Sequence, residues 1–197
     1  MIEFERLRLP GVLQGITSTT EDLELTMSGQ LRFGALLRLL VASKPGGSIL
    51  ELGSGTGLLT AWLLDGMSAD SRLLAVEADQ EKAAVARRFH GRDSRLELRE
   101  DSVPNVLQSL PGGYALIAAG SPQALPGRVR ELAGLLEPGG ILAVGGLQDG
   151  DEADDPEATT MEETMNQLEA AGGLERTVLD WGSGVLLASR RAGKAAG

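Results

Sequence analysis

The nine residues Ile49-Leu50-Glu51-Leu52-Gly53-Ser54-Gly55-Thr56-Gly57 constrain the fold more than any other stretch of this chain. A short apolar strand runs straight into three glycines at alternate positions, and a helical run, Leu58 to Met67, follows at once. Glycines at a strand-to-helix turn let the backbone bend sharply and let a ligand approach bare amides. The spacing restricts the ligand. A dinucleotide fingerprint places its third glycine five residues after the first. Here the third glycine comes at four, and Leu58 occupies the fifth place.

The strand-helix alternation continues from there. Ser48–Leu52 reads as a strand, and Leu58–Met67 as a helix with Leu58, Leu59, Trp62 and Leu63 on one face. Arg72–Glu77 is a second strand. Asp79 is placed to cap a helix over Gln80–Arg88, with Val85 and Phe89 facing inward. Arg95–Arg99 is a third strand, and Pro104 begins a short helix through Leu110. Tyr114–Ala119 is almost wholly apolar, as a strand covered on both faces must be. Arg128–Glu137 reads as a helix ended by Pro138-Gly139-Gly140, and Ile141–Gly145 as the fifth strand. Repeated βα units imply a parallel sheet with right-handed crossovers. The ending differs. A helix over Glu157–Ala171, with Met161, Met165 and Leu168 inward, precedes a hairpin of Leu174–Asp180 and Val185–Arg190. Upstream, Ser28–Ser43 is an amphipathic helix carrying Leu31, Leu36, Leu39 and Leu40, while the first 25 residues give no clear pattern.

A chain of 197 residues makes one domain. Aromatics supply only 3% of it, so its core must rest on Leu, Val, Ile and Ala. A net charge of −10 disfavours nucleic acid as the main partner, because phosphates need basic patches. The absence of cysteine excludes disulfides, a thiolate nucleophile and thiolate metal ligands. No apolar run is long enough to span a bilayer and the N-terminus has no signal-peptide core, so the expectation is a cytoplasmic protein without membrane contact. Six carboxylates fall within Asp149–Glu157. They suit a hard cation in principle, but Pro156 at a helix start favours a solvated loop whose acids face the helix N-terminus.

The phrase Glu51-x-Gly53-x-Gly55-x-Gly57 resembles the cofactor loop of class I S-adenosylmethionine (SAM)-dependent methyltransferases. Further segments follow in the same order and spacing as in the small O-methyltransferases related to catechol and caffeoyl-CoA methyltransferases. They are Met27-Ser28-Gly29, Val76-Glu77-Ala78-Asp79, Glu100-Asp101-Ser102, Tyr114–Ala119 and Leu135-Leu136-Glu137-Pro138-Gly139-Gly140. The resemblance covers nearly the whole chain. It implies an α/β fold: a single Rossmann-like domain over residues 47–190, with a seven-stranded, mostly parallel sheet in the order 3-2-1-4-5-7-6. Residues 1–46 would form a helical cover for cofactor and substrate, and 191–197 a flexible tail. It also implies SAM as cofactor, a small-molecule acceptor, and allows a homodimer.

The resemblance assigns SAM contacts to Met27, Glu51, Gly53, Ser54, Gly55, Gly57, Glu77, Ala78, Asp101, Ser102 and Gly120. Glu77, 24 residues after Gly53, would take the ribose hydroxyls, and Asp101 with Ser102 the adenine edge. Asp101 and Ser102 also read as helix caps before Pro104. The acceptor is expected near Met27, Ser28, Gly120, Ser121 and Gln123. The departures carry equal weight. At the three positions where the family's metal-dependent branch carries ligands, this chain has Gly120, Gly145 and Gly146, and Gln123 replaces a basic residue. Glycine offers no side-chain oxygen to Mg²⁺, so no metal is expected and catalysis would be mainly by positioning. The single histidine, His90, falls at a helix end, and is expected on the surface, away from the active rim. Tyr114 is expected at the opposite rim. Two other functions compete: a SAM-binding sensor or subunit without transferase activity, and a Rossmann oxidoreductase, which the glycine spacing and final hairpin disfavour.

Overall fold

A strand covered on both faces must bury every side chain, and Tyr114–Ala119 buries all of its residues. The computed structural model describes residues 7–23, 31–125, 129–147 and 161–192. Met27, Ser28, the acidic segment 149–157 and most of the expected tail lie outside them. The strands are β1 Ser48–Leu52, β2 Arg72–Glu77, β3 Leu96–Glu100, β4 Tyr114–Ala119, β5 Leu136–Val144, β6 Leu174–Leu179 and β7 Val185–Arg190. They form one sheet in the order β3-β2-β1-β4-β5-β7-β6, as expected. β1 to β5 are parallel, and β7 is antiparallel to both β5 and β6.

The helices are α1 Leu13–Asp22, α2 Leu31–Ala42, α3 Leu58–Gly66, α4 Gln80–His90, α5 Val103–Leu107, α6 Val129–Leu135 and α7 Met161–Ala171. Leu107, Val129, Leu132 and Leu168 from α5, α6 and α7 pack with Leu50, Val76, Ile117 and Val144 in one apolar cluster. Phe33, Leu37, Leu59 and Leu63 from α2 and α3 pack with Ile49, Leu73 and Leu116 in another. Successive residues of β1 thus enter opposite clusters, as the strand's period of two demands. Asp79 caps α4 as expected, accepting from the amides of Glu81 at 2.9 Å and Lys82 at 3.2 Å. No helix among the described residues is long and apolar enough to cross a membrane.

Three local readings differ from the sequence expectation. First, α1 was not legible. Its Ser, Thr and Gly residues are weak helix formers and its N-cap makes no side-chain bond. Leu13 and Ile16 instead pack on Ala61 and Trp62, so tertiary burial outweighs propensity. Second, Pro138-Gly139-Gly140 does not separate helix from strand. α6 stops at Leu135, and β5 begins at Leu136 and runs through all three. Pairing jumps from Tyr114↔Leu136 to Leu116↔Ile141, so a wide bulge absorbs residues 137–140. Gly139 takes φ +79°, and a β-carbon on Gly140 would stand 2.6 Å from the Tyr114 carbonyl oxygen. Lys44 Nζ donates to the Gly139 carbonyl at 2.7 Å. Third, α2 buries Phe33, Gly34, Leu37 and Val41, while Leu31 and Leu39 are exposed.

Gly34 is fixed by its neighbour. A β-carbon there would overlap the indole of Trp62, which is fully buried and carries Arg38 over its ring at 4.9 Å. Alanine gains about 1 kcal/mol in helix propensity over glycine, but the rigid indole cannot yield. Gly34→Ala is therefore expected to destabilise the protein by about 1–3 kcal/mol, read from urea unfolding. A stabilised variant would show that the α2–α3 contact has slack.

Candidate active site

The sheet reverses its strand order between β1 and β4, and in open α/β sheets ligands bind outside the carboxyl ends at such a switch. Gly53 follows β1 there. Gly53, Gly55 and Gly57 have φ of +64°, +58° and +90°, conformations that other residues enter only at a cost. Gly53 is also closely approached: a β-carbon on it would stand 2.9 Å from that of Ala124, which ends the short 3-10 helix Pro122–Ala124 after β4. The turn closes on itself through the Gly57 amide, which donates to the Ser54 carbonyl at 3.0 Å. The Ser54 amide donates to the carbonyl of Val76 in β2 at 3.0 Å.

Glu77 completes the frame. It ends β2, is largely buried, and accepts from the Gly55 amide at 2.6 Å on Oε2 and from the Asp79 amide at 2.9 Å on Oε1. The Asp101 amide donates to the Glu77 carbonyl at 3.1 Å, so the ends of β1, β2 and β3 are tied in series. Asp101 Oδ1 accepts from the Ser102 amide at 2.7 Å and from Asn105 Nδ2 at 2.9 Å. Ser102 is the N-cap of α5 by position, without a side-chain capping bond. Ala78 is exposed beside Glu77. Gly120 follows β4, whose Ala119 pairs with Leu52, and the Gly145 amide donates to the Ala119 carbonyl at 3.0 Å. All the sequence-derived site residues that are described, Glu51 to Gly120, therefore lie along one rim. Met27 lies outside the described residues.

Glu51 is the least ordinary group here. It is almost wholly buried within β1, and Thr60 of α3 donates to its Oε2 at 2.7 Å. Its Oε1 and the Ser54 hydroxyl, also buried, meet no hydrogen-bond partner among the described residues. Burial pushes the Glu51 carboxyl up to about 8; the Thr60 bond opposes this and the nearby Glu77 charge adds to it. The folded protein thus holds a proton that the unfolded chain releases near pH 4.5. Folding takes up that proton between these values, so this group's contribution to stability is lost as pH rises from 4.5 to 8.

One expectation is overturned. His90 is not a distant surface residue. It is 4% exposed, and its Nε2 lies 2.9 Å from the Gly57 carbonyl oxygen. Burial depresses its pKa. The Asp79 cap of α4 was legible; that the helix runs on to His90 and that this last residue reaches the glycine turn was not, because only packing sets where a helix end lands. Thr20, Thr56 and Thr60 were also passed over, as isolated threonines give no periodic signal. Tyr114 does begin β4 at the opposite end from the glycine turn.

Comparing urea unfolding of the parent and Glu51→Gln between pH 4.5 and 8 tests the buried carboxyl. The balance is expected to swing toward the variant by on the order of 4 kcal/mol as pH rises. A pH-independent difference would mean that Glu51 folds ionised.

No protein-family model matches the chain. Individual proteins do. A protein of Mycobacterium ulcerans (strain Agy99), named "Putative O-methyltransferase", is 32% identical over 168 residues, covering 80% of this chain and 75% of that one. A protein of the same name from Mycolicibacterium paratuberculosis (strain ATCC BAA-968 / K-10) is 30% identical, covering 80% and 76%. Among solved structures, a "putative O-methyltransferase from Klebsiella pneumoniae" matches with a TM-score of 0.81 at 26% identity, over 95% of this chain and 93% of that one. The O-methyltransferase from Bacillus cereus, solved in complex with S-adenosylhomocysteine (SAH), matches in fold with a TM-score of 0.80 at 23% identity, over 94% and 93%. Sequence identity sustained across most of both chains, on a sheet of this order with its glycine turn at the switch point, makes this chain a member of the O-methyltransferase family.

Proposed function

We propose that this chain is a SAM-dependent methyltransferase that methylates a small-molecule acceptor, by O-methyl transfer and without a divalent metal. The observation that carries the cofactor reading is the pair of orphaned buried atoms, Glu51 Oε1 and Ser54 Oγ, beside the glycine turn. A buried polar atom without a partner costs stability unless something supplies one. An amino acid's ammonium would favour the ionised, accepting form of Glu51, and its carboxylate would accept from the Ser54 hydroxyl. Gly57 is the N-cap of α3 and brings no side chain, which leaves that helix's first amides open to an anion.

The remaining groups fit the same ligand. Each Glu77 oxygen accepts one backbone amide and keeps a lone pair for a ribose hydroxyl. Asp101 and Ser102 would face the adenine edge. Clustered carboxylates suit a cationic sulfonium. When bound, SAM supplies an electrophilic methyl group. The chain's part is to hold that group and the acceptor in line, with the turn fixing one partner and the Ser121–Gln123 loop orienting the other. In this reading residues 1–46 cover the site, and Met27 and Ser28 belong to the acceptor side.

Metal independence rests on chemistry. Gly120 follows β4, and Gly145 and Gly146 follow β5, so no side-chain oxygen projects from the strand-end positions that the family's metal-dependent branch uses. Those same glycines support the alternative, a SAM-binding protein without transferase activity.

Calorimetry of SAM binding to the parent and Glu77→Ala tests the cofactor reading. The variant is expected to bind about 1.5–3 kcal/mol more weakly, and unchanged affinity would remove Glu77 from the site. Methyl transfer to a panel of phenols, carboxylates and amines separates the two functions, since SAM binding with no product from any acceptor favours the inactive protein. Turnover is expected to survive EDTA, and to fall about tenfold to a hundredfold, not to zero, in the Ser121→Ala/Gln123→Ala variant. Activity lost to EDTA and restored by Mg²⁺ would overturn the metal-free mechanism.

A further inference from the structure

The glycine turn is tied to more than the sheet. Two of its groups are bonded to helices. The Thr56 hydroxyl meets that of Thr20 in α1 at 3.0 Å, and both are buried. Thr20 Oγ1 also donates to the Ile16 carbonyl at 2.7 Å. A carbonyl only accepts, so Thr20's single proton is shared between the Ile16 carbonyl and the Thr56 hydroxyl, and Thr20 is the donor to both. The second tie is the Gly57 carbonyl, which accepts from Ala61 at 3.0 Å in the first turn of α3 and from His90 Nε2 of α4 at 2.9 Å. The ring nitrogen facing that carbonyl must therefore carry hydrogen. Burial keeps the ring's charged form disfavoured, which suits a neutral donor.

α1 and α4 also press on each other. A β-carbon on Gly15 would stand 2.9 Å from Phe89 Cε1. Otherwise α1 rests on an apolar contact, Leu13 and Ile16 against Ala61 and Trp62. Apolar contacts are non-directional and set no register. The Thr20–Thr56 bond is directional, and it ends on the residue between Gly55 and Gly57, both in left-handed backbone. A turn of bare glycines has many accessible shapes. Something must select the one whose amides meet a ligand.

We propose that Thr20 and His90 are positioning residues for the glycine turn, holding it through Thr56 and Gly57 in its ligand-ready shape, so that cofactor binding and the docking of α1 are energetically coupled. This rests on the SAM site proposed above. Coupling of this kind is reciprocal: a ligand that fixes the turn must also tighten α1, and loosening α1 must weaken the ligand. α1 falls within the expected cover of residues 1–46, so the coupling relates cofactor binding to a helix of that cover.

Amide hydrogen exchange over residues 13–22 and 53–57 of the full chain, with and without SAH, tests this. In the parent, SAH is expected to slow exchange in both segments. Thr20→Val is expected to speed exchange at the turn without ligand, to abolish the SAH-induced protection of α1, and to weaken SAH binding about fivefold to tenfold, the equivalent of one neutral hydrogen bond. Thr20→Ser should restore all three. His90→Leu should weaken SAH binding similarly. Thr20→Val alone leaves the buried Thr56 hydroxyl without its donor, so its folding stability falls; Thr20→Val/Thr56→Val removes both partners and recovers stability but not the coupling. Recovery of SAH affinity and α1 protection in that double variant would show that the bond is only structural and overturn the proposal. So would SAH binding that leaves α1 exchange unchanged, or undiminished affinity in both Thr20→Val and His90→Leu. A parent that does not bind SAH at all overturns the cofactor reading, and the coupling with it.

Discussion

The bond from the Gly55 amide to the Glu77 carboxylate is the constraint on which the rim depends. It joins a turn without side chains at three of its positions to the end of the neighbouring strand. Left to itself, a Gly-x-Gly-x-Gly segment has too much conformational freedom to present amides in one direction. Glu77 removes that freedom using two backbone donors, Gly55 and Asp79, which lie on either side of the β1–β2 boundary. The Asp101 amide then extends the tie to β3 through the Glu77 carbonyl. A charged acceptor makes stronger hydrogen bonds than a neutral one, which is why a carboxylate at this strand end holds what a serine or threonine would hold less well.

Around that frame the protein keeps polar groups in places where most cores have none. Glu51 sits inside a central strand with one oxygen satisfied by Thr60 and the other without a partner among the described residues. A buried, half-satisfied carboxyl lowers stability, and such costs concentrate where a ligand repays them. Thr20 and His90 are different: both are buried and bonded, and they hold the turn from α1 and α4. The turn is thus gripped by the sheet through Glu77 and Val76, and by the helices through Thr20 and His90.

The bulge in β5 shows the same trade in the scaffold. Pro138, Gly139 and Gly140 are poor strand residues, yet the strand runs through them because Tyr114 and Leu136 pair below and Leu116 and Ile141 pair above. Glycine lets the extra residues pass close to the Tyr114 carbonyl, and Lys44 satisfies the Gly139 carbonyl. The bulge leaves β5 in register at its upper end, where Val144 pairs with Ala119 and Gly145 joins the rim.

The sequence by itself determined the elements whose side chains follow a strict period, and the turns that only glycine can make. β1, β2, β4 and β7 occupy the residues their apolar patterns mark out, and the strand order is the one the family resemblance implied. The rim positions of Glu51, Glu77, Asp101 and Gly120 follow too, because each stands at a fixed offset from a strand end. What tertiary structure decided are the contacts between elements distant in sequence. α1 is helical because Trp62 and Ala61 bury it, not because its own residues favour a helix. His90 is a partner of the glycine turn because α4 packs where its last residue reaches Gly57, 33 residues earlier in the chain. The bulge in β5 exists because pairing with β4 on both sides outweighs what Pro-Gly-Gly prefers locally. Periodicity is a property of neighbours along the chain; where two helices and a turn meet is set by the packing of the whole, and no local pattern encodes it.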